Sequence, residues 1–358
     1  MVGSELRIRC AKDDLVSRLA VVARGVSTRT AVQILAGIRL EAEGSKLALA
    51  ATDMELSLRT SLEAQVEGAG VVVVPGRLLA ELARLLPEGE VELSAAQDGV
   101  LRVAAGSASY TLHTYAAEDF PRLPEVEAAG LFGVDRAAFL ETIGRVSRAA
   151  SRDESRPVLT GILVRFEAGK LIMAATDSYR LAVKETPVEA AVAELEALVP
   201  ARALSEVQRL AVAGDQIELG DTTLTTRRID GQFPNYRALL PEAFENEVVI
   251  PRGELLDVVR RTSVMAQRNA PLRLRFADGE LTITARTPDV GEAQESLPVP
   301  YTGEALEIGF NAEFLRDGVE SVQGEDMRLK LISPLRPAVL QGSDPDFTYL
   351  IMPIRLAG

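Results

Sequence analysis

Residues able to carry catalytic chemistry are few in this sequence. His113 is the only histidine and Cys10 the only cysteine among 358 residues. This disfavours imidazole catalysis and excludes an intrachain disulfide or a site built from several thiolates. Two aspartates, Asp53 and Asp177, each follow an Ala-Thr pair, and paired carboxylates could perform acid–base or metal chemistry. No phosphate-binding glycine loop, nucleophile elbow or spaced set of metal ligands accompanies them.

An internal repeat explains the two aspartates better than catalysis does. Ala51-Thr52-Asp53 recurs as Ala175-Thr176-Asp177 and, more weakly, as Arg286-Thr287-Pro288-Asp289, while Phe120-Pro121 recurs as Phe233-Pro234. The repeat is about 120 residues long. We therefore expect three homologous α+β domains over 1–126, 127–244 and 245–358, in which the aspartates occupy turns or strand ends.

Each repeat predicts two amphipathic helices separated by strands. Apolar residues recur three and four positions apart in six segments, with stripes Leu15, Leu19, Val22, Val26; Leu78, Leu82, Leu85; Phe139, Ile143, Val146; Leu204, Val207, Leu210; Leu255, Val258, Val259; and Leu315, Val319, Val322. Helix starts are indicated by Pro75, Pro200 and Pro251 and by the candidate caps Asp135 and Asn311. Period-two alternation around Glu43-Gly44, Ala168-Gly169 and Asp278-Gly279 predicts strands and turns. Each domain is then a doubled strand-helix-strands unit.

The charge distribution separates helices from strands. A net charge of −13 argues against nucleic-acid binding unless the positive charge is concentrated on one surface. The helix windows 12–29, 76–86, 135–156, 201–211, 252–268 and 311–323 hold 18 basic and 13 acidic residues, and the remainder holds 21 and 39. The sixth window is acidic. A basic surface made of helices is one interpretation, and arginine's general preference for solvated helix faces is the other.

The size of a ring of such helices can be estimated. Helices pack about 8–10 Å apart, so six side by side leave a hole of about 10 Å and twelve leave about 28 Å. A DNA duplex is about 20 Å across. If the helices line a hole, two chains joined head to tail could encircle a duplex and one chain could not.

Three stretches of the sequence are specific enough to suggest a family. They are Ala175-Thr176-Asp177-Ser178-Tyr179-Arg180-Leu181-Ala182-Val183, Gly231-Gln232-Phe233-Pro234-Asn235-Tyr236-Arg237 with Leu240-Pro241, and Tyr349-Leu350-Ile351-Met352-Pro353-Ile354-Arg355-Leu356. In this order and at these spacings, they resemble the bacterial beta sliding clamps, the processivity subunit of the replicative DNA polymerase III holoenzyme. The resemblance covers essentially the whole chain. It implies three DNA-clamp domains assembled head to tail into a closed homodimeric ring. The expected function is to tether the polymerase to DNA, without catalysis and without a cofactor.

The resemblance implies a pocket for short motifs of the polymerase catalytic subunit, the clamp loader and other clamp-binding proteins. Apolar side chains would form its cleft, with Arg180 and Arg355 donating to peptide carbonyls at the rim. Its residues would be Leu159, Thr176, Tyr179, Arg180, Leu181, Pro234, Leu239, Met352, Pro353, Ile354, Arg355 and Leu356. The plainer interpretation of the C-terminal stretch is a last edge strand.

The resemblance also implies weak, sequence-independent contacts to duplex DNA and a subunit seam. The predicted DNA-contacting residues are Arg29, Arg77, Arg148, Arg152, Arg156 and Arg202. The predicted seam joins Leu78, Leu82, Tyr110 and Leu112 of the first domain to Val264 and Met265 of the third. Ordinary core and surface roles are the alternative for the seam residues.

The sequence departs from the family in three places. Ser178-Tyr179 stands where relatives often have Gly-His, Pro157-Val158 where they can carry an aromatic pair, and Ala357-Gly358 extends the usual terminus. A single cysteine and the absence of an apolar leader or long apolar run favour a cytoplasmic protein outside membranes. An acidic protein-binding scaffold that never binds DNA is the competing class, distinguishable because a scaffold would not be trapped on circular DNA.

Overall fold

A computed structural model of the chain describes residues 6–27, 32–96, 99–124, 134–188, 194–212, 222–267 and 270–356. These residues form six α-helices and 22 β-strands, which confirms the predicted α+β class. They divide into two compact units, Met1–Leu131 with Arg209–Arg227 and Phe132–Gln208 with Arg228–Gly358. The domain boundary predicted at 126 lies outside the described residues, and both boundaries stay predictions.

The described part of the first domain consists of two similar halves that exchange their first strands. Its elements are β1 (Leu6–Ala11), α1 (Lys12–Val22), β2 (Gly37–Glu43), β3 (Lys46–Thr52), β4 (Leu56–Glu63), β5 (Gln65–Gly68), β6 (Gly70–Pro75), α2 (Gly76–Leu85), β7 (Glu90–Ala95), β8 (Val100–Ala105) and β9 (Ala108–His113). β1 pairs with β7, and β6 pairs with β2. Each half therefore supplies a strand to the sheet of the other half, which gives the predicted doubled unit.

The rest of the chain repeats this arrangement. The elements that follow are α3 (Arg136–Val146), β10 (Gly161–Glu167), β11 (Lys170–Thr176), β12 (Arg180–Pro187), β13 (Leu195–Pro200), α4 (Ala201–Val212), β14 (Thr223–Thr226), β15 (Asn246–Pro251), α5 (Arg252–Ser263), β16 (Leu272–Ala277), β17 (Glu280–Thr287), β18 (Gly291–Pro298), β19 (Leu306–Phe310), α6 (Ala312–Ser321), β20 (Asp326–Leu331), β21 (Ala338–Gln341) and β22 (Phe347–Ile351). The exchange recurs there, because β15 pairs with β20 and β19 with β16.

Two of the sheets continue from one repeat into the next. In the first unit, β14 extends the sheet to the order β14-β4-β3-β2-β6, and in the second unit β12 pairs with β22 within an eight-stranded sheet. β9 ends the sheet β5-β1-β7-β8-β9, and β18 ends the sheet β18-β17-β16-β19. Neither end strand has a second strand partner among the described residues.

The hairpin turns have the backbone conformation that two-residue loops need. Ala168 and Gly169 have φ of 49° and 74°, and Asp278 and Gly279 have 50° and 81°, as two-residue hairpin loops require. The first predicted turn is displaced by one residue. Glu43 pairs with Lys46 as the last rung of β2 and β3, so the loop is Gly44-Ser45 rather than Glu43-Gly44.

Most of the helix predictions are confirmed at the level of single residues. Leu15, Leu19 and Val22 of α1 are fully buried. The predicted caps form, since Asp135 accepts from the Ala138 N–H at 2.8 Å and Asn311 from the Phe314 N–H at 3.1 Å. None of the described helices has the length and apolar content needed to cross a membrane.

The buried stripe of α2 was predicted wrongly. The helix buries Leu79, Ala80 and Ala83 and leaves Leu78 50% and Leu85 81% exposed. Leucines lie at spacings of three and four on two adjacent faces, so periodicity alone allows either face to be buried. Close packing decides, because a Cβ on Gly76 would lie 2.7 Å from an Ile38 side-chain carbon.

Candidate functional site

The predicted pocket is built around the turn between β11 and β12. The Thr176 hydroxyl accepts from the Ser178 N–H at 3.2 Å and donates to the Arg180 carbonyl at 2.6 Å. The Asp177 carboxylate accepts from the Tyr179 and Arg180 N–H groups at 2.9 and 3.0 Å. These bonds hold Ser178 at φ 83° and leave the Tyr179 side chain 59% exposed. Asp177 is therefore a turn residue, as the repeat predicted.

Arg180 lies beneath this turn and not at a rim. Its guanidinium is buried and bonds to Asp177 at 3.0 Å and to Asp317 at 2.6 Å. Burial alone would lower the pKa of Arg180, but the Tyr349 oxygen and the two carboxylates outweigh burial and raise it. The predicted role of Arg180 as a donor to peptide carbonyls at the rim is wrong, because its donors are engaged inside the protein.

One acidic partner of this arginine comes from α6, the helix whose charge did not fit the basic trend. Asp317 bonds to Arg180, and Glu320 forms ion pairs with Arg148 and Arg260. Burial alone would raise the pKa of Glu320, and the two arginines lower it. The acidity of the sixth helix window was the signal for this network, and the sequence alone did not identify its partners.

Phe314 of α6 is a site residue that the sequence analysis missed. Its ring stacks against Tyr179 with centroids 6.4 Å apart, and the Arg180 guanidinium lies 4.3 Å from the ring centroid. The exposed tyrosine thus has an aromatic neighbour on one face. Nothing in the local pattern around Phe314 distinguishes it from a core residue.

An apolar cluster on one face of the eight-stranded sheet lies beside the turn. Its buried members include Leu181 of β12, Leu350 of β22 and Tyr236 of the segment after β14. Phe233 and Leu240 pack against the cluster. Pro234 is exposed, and Leu239 is 50% exposed. The second recognisable stretch therefore lies over the first and leaves apolar side chains accessible.

The C-terminal stretch is not an edge strand. β22 lies between β12 and β21 inside the eight-stranded sheet. Beyond it, the Met352 N–H donates to the Tyr179 carbonyl at 2.8 Å, and the Ile354 N–H donates to the Gly309 carbonyl at 2.8 Å. Met352 is 39% exposed, Arg355 is exposed, and Pro353, Ile354 and Leu356 are half-buried. The structure thus brings all three recognisable stretches to one turn.

Arg156 and Leu159 flank the same turn. Arg156 bonds to Asp153 at 2.9 Å and reaches the Ser178 hydroxyl at 3.4 Å. Leu159 is half-buried in the short 3₁₀ helix Pro157–Thr160. Arg156 was predicted to contact DNA, which stays a prediction, and its intramolecular contacts place it beside the turn of the pocket.

The remaining predicted DNA-contacting arginines have different environments. Arg77 is exposed on the first turn of α2. Arg152 has an 88% exposed side chain 3.6 Å from Glu313. Arg148 is partly neutralised by Glu320, Arg202 lies on α4, and Arg29 falls outside the described residues. The second domain thus contributes a highly exposed guanidinium, that of Arg152, and a less exposed one, that of Arg148, and each has an acidic neighbour.

The predicted seam residues divide into surface and core. Leu78, Tyr110 and Val264 are 50%, 41% and 65% exposed. Leu82 is half-buried, and Leu112 is a core residue because strand alternation on β9 turns it inward. Met265 is half-buried against the core of the second unit, and its carbonyl accepts from Thr287. Leu112 and Met265 therefore contribute more to folding than to a surface.

Asp53 has the same local role as Asp177. Its carboxylate accepts from the Glu55 and Leu56 N–H groups at 3.1 and 2.8 Å. Among the described residues, no group of three or more His, Cys, Asp or Glu side chains could hold a metal ion. The geometry around both aspartates is that of a turn.

Three family models match consecutive parts of the chain. The DNA polymerase III beta subunit N-terminal domain matches residues 6–124, the central domain 133–235 and the C-terminal domain 237–355. The matches follow one another in the order of the internal repeats.

Whole-chain comparisons give the same result. The beta sliding clamp of Streptomyces coelicolor is 36% identical over 99% of this chain and 100% of its own length. The Caulobacter crescentus beta sliding clamp, solved with polyethylene glycol at its beta-motif tethering region, has a TM-score of 0.91 at 30% identity, covering 99% of this chain and 100% of that one. The Bacillus subtilis clamp has a TM-score of 0.92 at 24% identity with the same coverage, which supports the fold.

Proposed function

The chain belongs to the DNA polymerase III beta subunit family, the bacterial beta sliding clamps, and from this premise we propose how its own residues carry out clamp function. It is a DNA sliding clamp that acts in replication as a non-catalytic processivity factor. The observation that carries this conclusion is the match of three consecutive family domains over nearly the whole chain. In our proposal, two copies close head to tail around duplex DNA.

The homodimer is supported by β9 and β18, which each end a sheet. A head-to-tail contact can place β9 of one copy beside β18 of the other, which satisfies the free backbone groups of both. Leu78, Tyr110 and Val264 supply exposed apolar surface for such a seam. Leu82, Leu112 and Met265 support it from beneath.

Contacts with DNA are proposed to be electrostatic and few. Arg77 and Arg152 have exposed guanidinium groups, and Arg29, Arg148, Arg156 and Arg202 complete the predicted set. Phosphate contacts carry no sequence information and weaken with salt. A small number of them lets the protein slide, while the closed ring prevents dissociation.

The pocket around Tyr179 is proposed to bind short motifs of the polymerase catalytic subunit, the clamp loader and other clamp-binding proteins. Tyr179, Leu239 and Met352 offer exposed apolar surface beside the buried Leu181 and Leu350. Arg355, exposed on the C-terminal stretch, is the remaining rim donor. The polyethylene glycol bound to the Caulobacter crescentus relative supports a binding region of this kind.

We assign the protein to the cytoplasm, because the bacterial DNA on which a sliding clamp acts lies there.

The deciding test is retention on nicked circular DNA. The protein is loaded with its cognate clamp loader, washed at high salt, and measured before and after the circle is cut. We expect it to survive the wash and to be lost on linearisation, because a closed ring is linked topologically. Loss during the wash while the circle is intact would mean electrostatic binding alone and would contradict encirclement.

The pocket has its own test. Met352→Asp should weaken binding of a polymerase-motif peptide at least tenfold while leaving the proposed homodimer intact, because a carboxylate at the cleft opposes burial of apolar peptide side chains. Fluorescence anisotropy measures the first and light scattering the second. Leu335→Asp, which changes a 61% exposed leucine outside the pocket, is the control.

A further inference from the structure

A second cleft lies where β14 joins the sheet of the first domain. It has a volume of about 330 Å³ and lies within one compact unit. The turn between β3 and β4 forms one wall, the segment after Phe120 forms another, and the end of β14 forms the third. Six side chains that define it are Met54, Ser57, Pro121, Leu123, Thr225 and Arg227.

This cleft is the internal-repeat counterpart of the pocket around Tyr179. Thr226 pairs with Leu56 as Ile351 pairs with Arg180. The Arg227 N–H donates to the Glu55 carbonyl at 2.9 Å, as the Met352 N–H donates to the Tyr179 carbonyl at 2.8 Å. The turns match as well, since Met54 has φ 77° and Ser178 has φ 83°. The two sites therefore share one backbone frame.

The two frames carry different side chains. By strand register, Ser57 and Thr225 stand where the pocket has Leu181 and Leu350. Arg227 stands where the pocket has Met352. The leucine floor that would retain an apolar motif is replaced by hydroxyl groups and a guanidinium. A ligand of the second cleft must therefore be more polar than a ligand of the first.

Free positive charge lies in the groove that continues from this cleft across the same sheet. The groove has a volume of about 730 Å³ and shares Pro121, Arg122 and Leu123 with the cleft. Arg59 and Arg122 line it and are both exposed. Among the described residues, neither side chain has a hydrogen-bond or ion-pair partner, whereas Arg39 in the same groove is paired with Glu41. Two unpaired guanidinium groups in one groove suit a ligand with carboxylates.

We propose that this cleft and groove form a second docking site, for an extended acidic segment of a partner protein. Carboxylates of the segment bond to Arg59 and Arg122, and an apolar side chain lies against Met54, Pro121 and Leu123. A nucleic acid fits less well, because it carries a phosphate at every residue, whereas the carboxylates of a peptide can be spaced to reach Arg59 and Arg122 and to leave neutral residues beside Glu55 and Glu118. The protein would then hold two partners of different chemistry at equivalent places in its repeat.

The test uses the full chain and a fluorescein-labelled peptide of eight residues, four glutamates alternating with two leucines and two serines. Anisotropy is measured at low salt for wild type, for Arg59→Glu with Arg122→Glu, and for Arg275→Glu with Arg336→Glu, two exposed arginines elsewhere. The cleft variant should bind at least tenfold more weakly and the control variant like wild type. A peptide with glutamine at the four glutamate positions should bind at least tenfold more weakly to wild type. Thermal melts check that both variants are folded.

The result that would overturn the proposal is equal binding by the cleft variant, or no binding of the acidic peptide by wild type. Loss of binding in Met352→Asp would also overturn it, because the peptide would then occupy the pocket around Tyr179. If a single-stranded oligonucleotide binds in preference to the peptide, and the cleft variant abolishes that binding, the ligand of this site is a nucleic acid and not a peptide. The circle-retention assay is independent of all these outcomes, so this site can fail while clamp function stands.

Discussion

Ser178 occupies a backbone conformation that ordinarily favours glycine. Its φ is 83°, and the equivalent repeat positions, Met54 and Asp289, have φ of 77° and 65°. A non-glycine residue in this region carries a cost of about 1–2 kcal/mol. The hydroxyl of Thr176 and the carboxylate of Asp177 impose the turn by bonding to the following N–H groups. The shape of the pocket therefore depends on residues beside Ser178 more than on Ser178 itself.

Ser178→Gly should raise the free energy of unfolding by about 1 kcal/mol, because relief of strain exceeds the added entropy of the unfolded chain. Urea denaturation measures the change. Ser178→Ala is the matched control, since it removes the hydroxyl and keeps the strained backbone, and it should not be stabilising. A glycine variant no more stable than wild type would show that the turn is unstrained.

At the scale of elements, a carboxylate ties α3 and β12 to the loop before β22. Asp344 accepts from Arg145 of α3 at 2.7 Å, from Lys184 of β12 at 3.2 Å and from the Asp346 N–H at 3.0 Å. Burial alone would raise the pKa of Asp344, but these donors lower it to about 2 from 3.8. The second and third repeats are thus joined by ion pairs as well as by the shared sheet.

This shift predicts a pH dependence with a defined sign. The folded pKa lies below the unfolded pKa, so the stabilisation is fully present above about pH 4 and is lost as the pH falls through about 2. Asp344→Asn should lower the free energy of unfolding by about 2 kcal/mol at pH 7, and the difference should shrink toward pH 2. Urea midpoints across this range measure it. Asp326→Asn, at an exposed aspartate of β20, is the control, and a pH-independent difference would contradict the ion-pair explanation.

At the scale of the whole molecule, each of the four sheets among the described residues has two end strands. β9 in the first unit and β18 in the second each end a sheet. Open edges are sites for pairing with another chain. One edge of each kind per copy suits a head-to-tail contact, which can close a ring.

Val264→Asp should convert the proposed dimer to monomers in light scattering, because it would bury an unpaired charge at the proposed seam. Val264 is 65% exposed, so the fold should tolerate the change. Met265→Asp is a poorer choice, since Met265 packs against the core of its own unit. Leu335→Asp controls for a charge placed at an exposed leucine. If the Val264→Asp variant forms a dimer as stable as that of wild type, Val264 is not part of the seam.

Many features of this protein could be predicted from local sequence patterns alone. The repeat, five of the six helix faces, both helix caps and the turn roles of Asp53 and Asp177 were predictable. Each depends on periodicity or on bonds between residues two to four positions apart, which a linear sequence displays directly. The family resemblance added the pocket, and its three stretches do meet at one turn.

Packing between distant residues decided the rest. Arg180 is buried because Asp317, 137 positions away, provides its counter-charge. α2 buries Leu79 instead of Leu78 because Gly76 packs against Ile38. The second cleft is polar because Thr225 pairs with Ser57 across two repeats. Register and close contact between remote segments arise only when the sheets assemble, so no local pattern could show which of several compatible faces would be buried.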